Sequence, residues 1–108
     1  MDSPGPKIAE VVARYRQQLH LMGVEVTEVI LFGSHAWGTA NEASDIDLLI
    51  VSPTFKPMST RERLELLGVA AARIWEPIEA LACTPEELTG AETATLLAEI
   101  ARSGMRVA

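Results

Sequence analysis

The sequence predicts an α/β (α+β) fold, a small mixed β-sheet with helices packed on it. Three observations carry that prediction. Apolar residues recur at three- and four-residue spacing in some segments and as short Val/Ile/Leu-rich runs in others, and the two kinds are interspersed. Two capping signatures mark helix starts late in the chain. About a dozen residues join the first two strands, borderline for a parallel crossover, so the sheet is expected to be mixed.

Taken in order, Ile8, Val11, Val12, Tyr15, Leu19 and Met22 form one apolar helical stripe over residues 7–22, with Gly23 as its stop. Residues 26–32 are rich in Val, Ile and Phe and read as a strand. Residues 34–40 form a short helix or turn. Residues 45–51 read as a second strand, apolar on both faces past Asp47, which implies a central position. Pro53 and Pro57 make 52–58 a loop. Ser59-Thr60-Arg61-Glu62 has capping-box spacing and opens a helix to about Trp75, with Leu64, Leu67, Ala71 and Ile74 on one side. Ile78 to Cys83 is the third strand. Thr84-Pro85-Glu86-Glu87 is the second capping signature, with Pro at the first helical position. A last helix covers roughly 92–103.

The 108 residues make one domain, 1–108, with 1–6 as a flexible lead-in. Hydrophobic residues are 48% and charged residues 22%, an ordinary globular balance. No apolar run approaches the ~20 residues of a membrane helix, and the N-terminus lacks the basic and apolar regions of a secretory signal. Cys83 is the single cysteine, so neither an internal disulfide nor a cysteine-based zinc site can form. Its apolar neighbours suit a buried small side chain. These features point to a cytoplasmic protein. The net charge of -6 and the lack of a basic run argue against direct nucleic-acid binding.

The chemistry concentrates in residues 31–51. An apolar run breaks at Gly33-Ser34, and ten residues further on comes Asp45-Ile46-Asp47, running straight into Leu48-Leu49-Ile50-Val51. On a strand, Asp45 and Asp47 point the same way. At ~4 Å and an effective dielectric near 20, two such charges repel by on the order of 4 kcal/mol. Solvent at a strand end, retention of one proton, or a divalent cation between the two would relieve this. Oxygen-only ligands suit Mg²⁺ or Mn²⁺. Gly33 lets a phosphate approach the backbone, a helix start presents free N–H groups to an anion, and the Ser34 hydroxyl can donate to it. If the two strands are neighbours, a phosphate cradle and a carboxylate pair share one sheet edge. That arrangement would suit a nucleoside triphosphate with its metal.

The stretch resembles the signature of the DNA polymerase β-like nucleotidyltransferase superfamily. It closely resembles the minimal nucleotidyltransferases, single-domain antitoxins found beside HEPN-type toxins. The motif match covers residues 29–51, and element order and length extend a weaker likeness over most of the chain. The resemblance implies a polymerase β palm-like fold. It implies that Gly33 and Ser34 contact the triphosphate, that Asp45 and Asp47 hold two Mg²⁺ ions, and that a third acid from a later strand completes the catalytic and metal-binding set. Glu79 is the only acid within Ile78 to Cys83. Glu76, Glu86 and Glu87 are accounted for by helix ends. The implied reaction is in-line attack of a hydroxyl on the α-phosphorus of ATP with loss of pyrophosphate.

The match has one departure. Relatives often read Gly-Ser-x-Ala-Arg-Gly, whereas this chain reads Gly33-Ser34-His35-Ala36-Trp37-Gly38. Trp37 replaces a cation and reads by default as hydrophobic cover. His35 reads as a solvent-facing helix residue, and His20 as a charge suited to a helix C-terminus. There is no room for the second domain with which larger relatives select base and acceptor. Either nucleotide selection is loose or a partner chain completes the site, and a homo-oligomer is possible. Leu96, Leu97 and Ile100 on the last helix could meet a partner, with core packing as their default reading. The expected function is transfer of AMP from ATP to a tyrosine of a HEPN-type toxin. The alternatives are a catalytically silent antitoxin acting by binding and, more remotely, an aminoglycoside-type nucleotidyltransferase.

Overall fold

The first apolar stripe forms helix α1 (Pro6–Leu21), with Gly5 as N-cap and Pro6 at the first helical position, where its missing N–H costs nothing. The computed structural model describes residues 5–38, 40 and 44–107 of the chain. The first four residues of the expected lead-in lie outside the described residues, while Gly5 and Pro6 already belong to the helix start. The remaining elements are β1 (Glu28–Phe32), α2 (Ser34–Trp37), β2 (Ile46–Val51), a 3-10 turn at Pro53–Phe55, α3 (Thr60–Arg73), β3 (Ile78–Cys83), α4 (Pro85–Thr89), α5 (Leu96–Ser103) and β4 (Met105–Arg106).

The four strands form one sheet in the order β3-β2-β1-β4. β1 runs antiparallel to β2 and to β4, and β2 runs parallel to β3. The sheet is therefore mixed and β2 is interior, as predicted. β4 was not expected. Its two residues carry no pattern of their own, and only their pairing with Ile30 and Leu31 makes them a strand.

Side-chain alternation divides the strands between two cores. On one face Val29, Leu31, Ile46, Leu48 and Ile50 pack with Val11, Val12, Tyr15 and Leu19 of α1 and Leu67, Ala70 and Ala71 of α3. On the other, Ile30, Leu49, Val51 and Cys83 pack against Ile100 of α5. Each of the fully buried Leu and Ile side chains contributes on the order of 1.5–3 kcal/mol. The second face is shared. α5 covers one end of it, and Phe32, Asp47 and Glu79 line the other.

Several boundaries differ from the sequence expectation, among them the start of β1, which is Glu28 rather than residue 26. α3 ends at Arg73, because Trp75 takes a left-handed conformation at φ 58°. The last helix starts at Leu96, where the Thr95 hydroxyl accepts from the Ala98 N–H. β2 starts at Ile46, one residue after Asp45. Leu64, expected on the packed side of α3, is 47% exposed. Among the described residues, no helix is long and apolar enough to cross a membrane.

Candidate active site

Register builds the site. Asp47 on β2 lies opposite Phe32 on β1 and opposite Glu79 on β3. Cross-strand partners share a face, so Asp47 and Glu79 stand side by side while Ile78 and Ala80 turn to the first core. Parallel pairing of β3 thus brings together two carboxylates separated by more than thirty positions. With Phe32, Leu64, Ala80 and Leu81 they line an open cavity of about 330 Å³. A groove of similar size, about 340 Å³, lies between α1 and residues 24–26, but Glu25 is the only acid lining it.

Asp45 departs from the expected arrangement. β1 ends at Phe32, opposite Asp47, and β3 begins at Ile78, opposite Ile46, so no ladder partner remains for Asp45. It is exposed at the strand entry rather than paired within it. Its charge still reaches Asp47. Burial, and then the Asp45 charge, raise the Asp47 carboxyl above the ordinary Asp range. A side-chain hydrogen bond with Glu79, and then the nearby His35 ring, act in the opposite direction.

Gly33 meets this carboxylate from the β1 side. Its backbone sits at φ 71°, ψ -154°, a region essentially reserved for glycine. A Cβ at Gly33 would lie 2.2 Å from Asp47 Oδ2. The absent side chain is what allows the backbone and the Asp47 carboxylate to approach. Ser34 then opens α2 directly beside them. The fold brings Gly33, with Ser34 after it, against Asp47, while Asp45 stays outside the ladder.

His35 is not solvent-facing. It is half-buried, with Nε2 3.3 Å from the Ser44 carbonyl oxygen. The ring ties α2 to the residue preceding Asp45. No sequence pattern marks this contact, because it depends on where the 38–45 segment returns. The Trp37 side chain lies outside the described residues. The competing acids are occupied elsewhere: Glu76 pairs with Arg14 at 2.8 Å, Glu87 caps α4 and pairs with Arg63 at 2.7 Å, and Glu86 lies in the first turn of α4. Cys83 is buried, and desolvation pushes its thiol up to about 11, the behaviour of a packing residue. Among the described residues, no three His, Cys, Asp or Glu side chains converge tightly enough to hold a metal by themselves.

An α/β layer with two acids from adjacent strands beside a glycine-led helix start is an arrangement that suits phosphate handling. The chain belongs to the nucleotidyltransferase domain family, whose model matches residues 9–83 and so spans Gly33, Ser34, Asp45, Asp47 and Glu79. A protein from Sulfolobus solfataricus assigned to the nucleotidyltransferases is similar in structure, with 25% identity and a TM-score of 0.55 over 74% of this chain. This chain spans 66% of that protein's length, just under two thirds. A chain of a toxin–antitoxin crystal structure with AMP-PNP shares the fold, with 21% identity and a TM-score of 0.64, covering 89% of this chain and 71% of its own. No curated protein matches the sequence.

Proposed function

We propose that this chain is a Mg²⁺-dependent nucleotidyltransferase that moves AMP from ATP to a tyrosine hydroxyl of a HEPN-type toxin, and so acts as its antitoxin. One observation carries the reading: Asp47 is flanked in register by Glu79 and pressed from the other side by Gly33. The fold shared with a chain of a toxin–antitoxin structure containing AMP-PNP supports the partner and the adenine nucleotide.

The residues divide the work across the sheet. Gly33 and Ser34, on the β1 side, hold the triphosphate through backbone N–H groups and the Ser34 hydroxyl. Glu79, on the β3 side, receives the acceptor and takes its hydroxyl proton. The acceptor oxygen bonds to the α-phosphorus, the bond to the pyrophosphate oxygen breaks, and pyrophosphate leaves. Asp45, Asp47 and Glu79 offer oxygen ligands only. This donor set fits Mg²⁺ or Mn²⁺, because Mg²⁺ takes one or two protein carboxylates and completes its shell with water and phosphate. The metal, when bound, supplies positive charge against the triphosphate and lowers the pKa of the attacking hydroxyl. His35 holds the Ser44 carbonyl and thereby the approach to Asp45.

The test adds ATP labelled at the α-phosphate, with Mg²⁺, to the purified chain and a host lysate. A protein band labelled by the α-label but not the γ-label, and lost in Asp47→Asn, is the expected result. Labelling from the γ-position alone would replace nucleotidyl transfer with phosphorylation. The exposed position of Asp45, outside the ladder, favours a second reading in which the chain neutralises its partner by binding alone. Protection from the toxin by a folded Asp45→Asn/Asp47→Asn double variant would establish it.

A further inference from the structure

Trp75 stands at the end of α3 with 90% of its surface exposed. It also occupies a strained position. α3 closes in a Schellman turn: the Trp75 N–H donates to the Ala72 carbonyl at 3.1 Å and the Glu76 N–H to the Ala71 carbonyl at 3.3 Å. The turn puts Trp75 at φ 58°, and it is the only non-glycine residue with positive φ among the described residues. Glycine is the usual occupant of that position. The fold here neither requires an indole nor buries it.

The turn is nevertheless held rigidly. Arg14 of α1 donates from Nη1 to Glu76 Oε2 and from Nη2 to the Ile74 carbonyl, both at 2.8 Å. One guanidinium thus grips the residues on either side of Trp75. A side chain displayed on a clamped turn loses little further freedom on binding, which is how an interface anchor gains affinity.

Its place in the fold indicates what it meets. The Pro77 carbonyl accepts from the Ile46 N–H at 2.8 Å, so the turn lies at the carboxylate end of the sheet. β3 is an edge strand, and Gly33-Ser34 lie on the far side of Asp47 from it. Trp75 therefore stands at the carboxylate end of the sheet, on the β3 side and away from Gly33-Ser34. Behind it the outer face of α3 exposes Ala72, Gly68 and Leu64, and Leu64 lines the cavity that holds Asp47 and Glu79. From Leu64 to Trp75 this strip runs ~16 Å at the helical rise, too long for a nucleobase and suited to a protein element. The net charge of -6 disfavours a nucleic acid.

We propose that Trp75, with the Leu64–Gly68–Ala72 strip, is the docking surface on which the acceptor protein is held beside the Glu79 edge of the active site. The proposal rests on the reading above that the acceptor is a protein.

The test compares wild type with Trp75→Gly, a substitution that suits φ 58° and should leave Tm within about 3 °C. Labelling from α-labelled ATP is followed over a dilution series of host lysate, and binding of Mg-ATP to the chain alone is measured by calorimetry. The expected result is at least a tenfold loss of labelling rate in dilute lysate that recovers in concentrated lysate, with Mg-ATP affinity unchanged. Leu64→Ser should reproduce it. Equal labelling by wild type and variant at every dilution overturns the docking surface and leaves nucleotidyl transfer standing. Absence of any wild-type label removes both. Weaker Mg-ATP binding by Trp75→Gly would reassign the indole to the nucleotide. A lower molar mass for Trp75→Gly than for wild type, seen by light scattering, would reassign it to self-association. Either overturns the proposal.

Discussion

An alanine at position 33 would have to adopt φ 71° and place its Cβ 2.2 Å from Asp47 Oδ2. Backbone strain of this kind costs roughly 1–3 kcal/mol, and the collision adds to it. Gly33→Ala is expected to lower unfolding stability by at least ~2 kcal/mol in urea denaturation. Asp47 has the opposite relation to stability. Its carboxyl keeps its proton to higher pH in the folded chain than in the unfolded one, because it is desolvated and faces Asp45. Over the window from the ordinary Asp range up to that raised value, the folded state binds more protons. Stability therefore falls as pH rises through the window and stays low above it. Asp47→Asn removes the charge and keeps the shape. Because Asp47 is only partly buried and solvent screens much of its charge, the variant is expected to stabilise by no more than roughly 0.5 kcal/mol, read as a small rise in Tm, to flatten this segment of the pH profile, and to abolish label transfer. A Tm at neutral pH below that of wild type would contradict the account.

The helices on either side of β3 carry the two capping boxes that the sequence announces. Ser59 Oγ accepts from the Glu62 N–H at 3.1 Å, and Glu62 Oε1 accepts from the Ser59 N–H at 2.8 Å. Thr84 and Glu87 repeat the exchange at 3.1 and 2.9 Å. Arg63 joins the two starts, donating to both oxygens of Glu87 at 2.7 and 3.1 Å. β3, and with it Glu79, is thus framed by two linked helix starts. Loss of a cap typically costs about 1 kcal/mol, so Ser59→Ala is expected to lower the denaturation midpoint accordingly, with an unchanged m-value. The Arg63 hydrogen bond holds the Glu87 carboxyl below the ordinary Glu range. That contribution is present above the ordinary range and is lost as pH falls through the depressed value. Acid titration should loosen the β3–α4 junction while relieving Asp47.

Across the whole molecule, the two helices on the first face are joined by a single buried polar contact. The Tyr15 hydroxyl donates to the Leu67 carbonyl at 2.8 Å within the core, and burial raises its pKa. Tyr15→Phe removes the donor with little change of shape. It is expected to cost about 1 kcal/mol, read as a parallel shift of the whole unfolding curve, since α1 and α3 cover the same face of the sheet. Arg14, one residue earlier on α1, reaches the C-terminal end of α3 and clamps the Trp75 turn. α1 therefore supports both the core and the edge of the active site, although it contributes no residue to the carboxylate group.

The elements that local physics specifies are legible in the amino-acid order alone. Apolar periodicity marked α1, β1, β2 and β3, and hydroxyl–carboxylate spacing marked the starts of α3 and α4. The abrupt breaks at Gly33 and Asp45 marked the candidate site. Only the tertiary structure decided the rest, because it depends on distances between residues far apart in the chain. Parallel register set Glu79 beside Asp47. The ends of β1 and β3 left Asp45 outside the ladder, and pairing with β1 turned Met105 and Arg106 into a strand. The fold turned His35 inward to Ser44, and Arg14 fixed an exposed tryptophan about sixty residues away. Periodicity and caps record what a segment prefers. Which segments meet is settled by how the two cores close around the sheet.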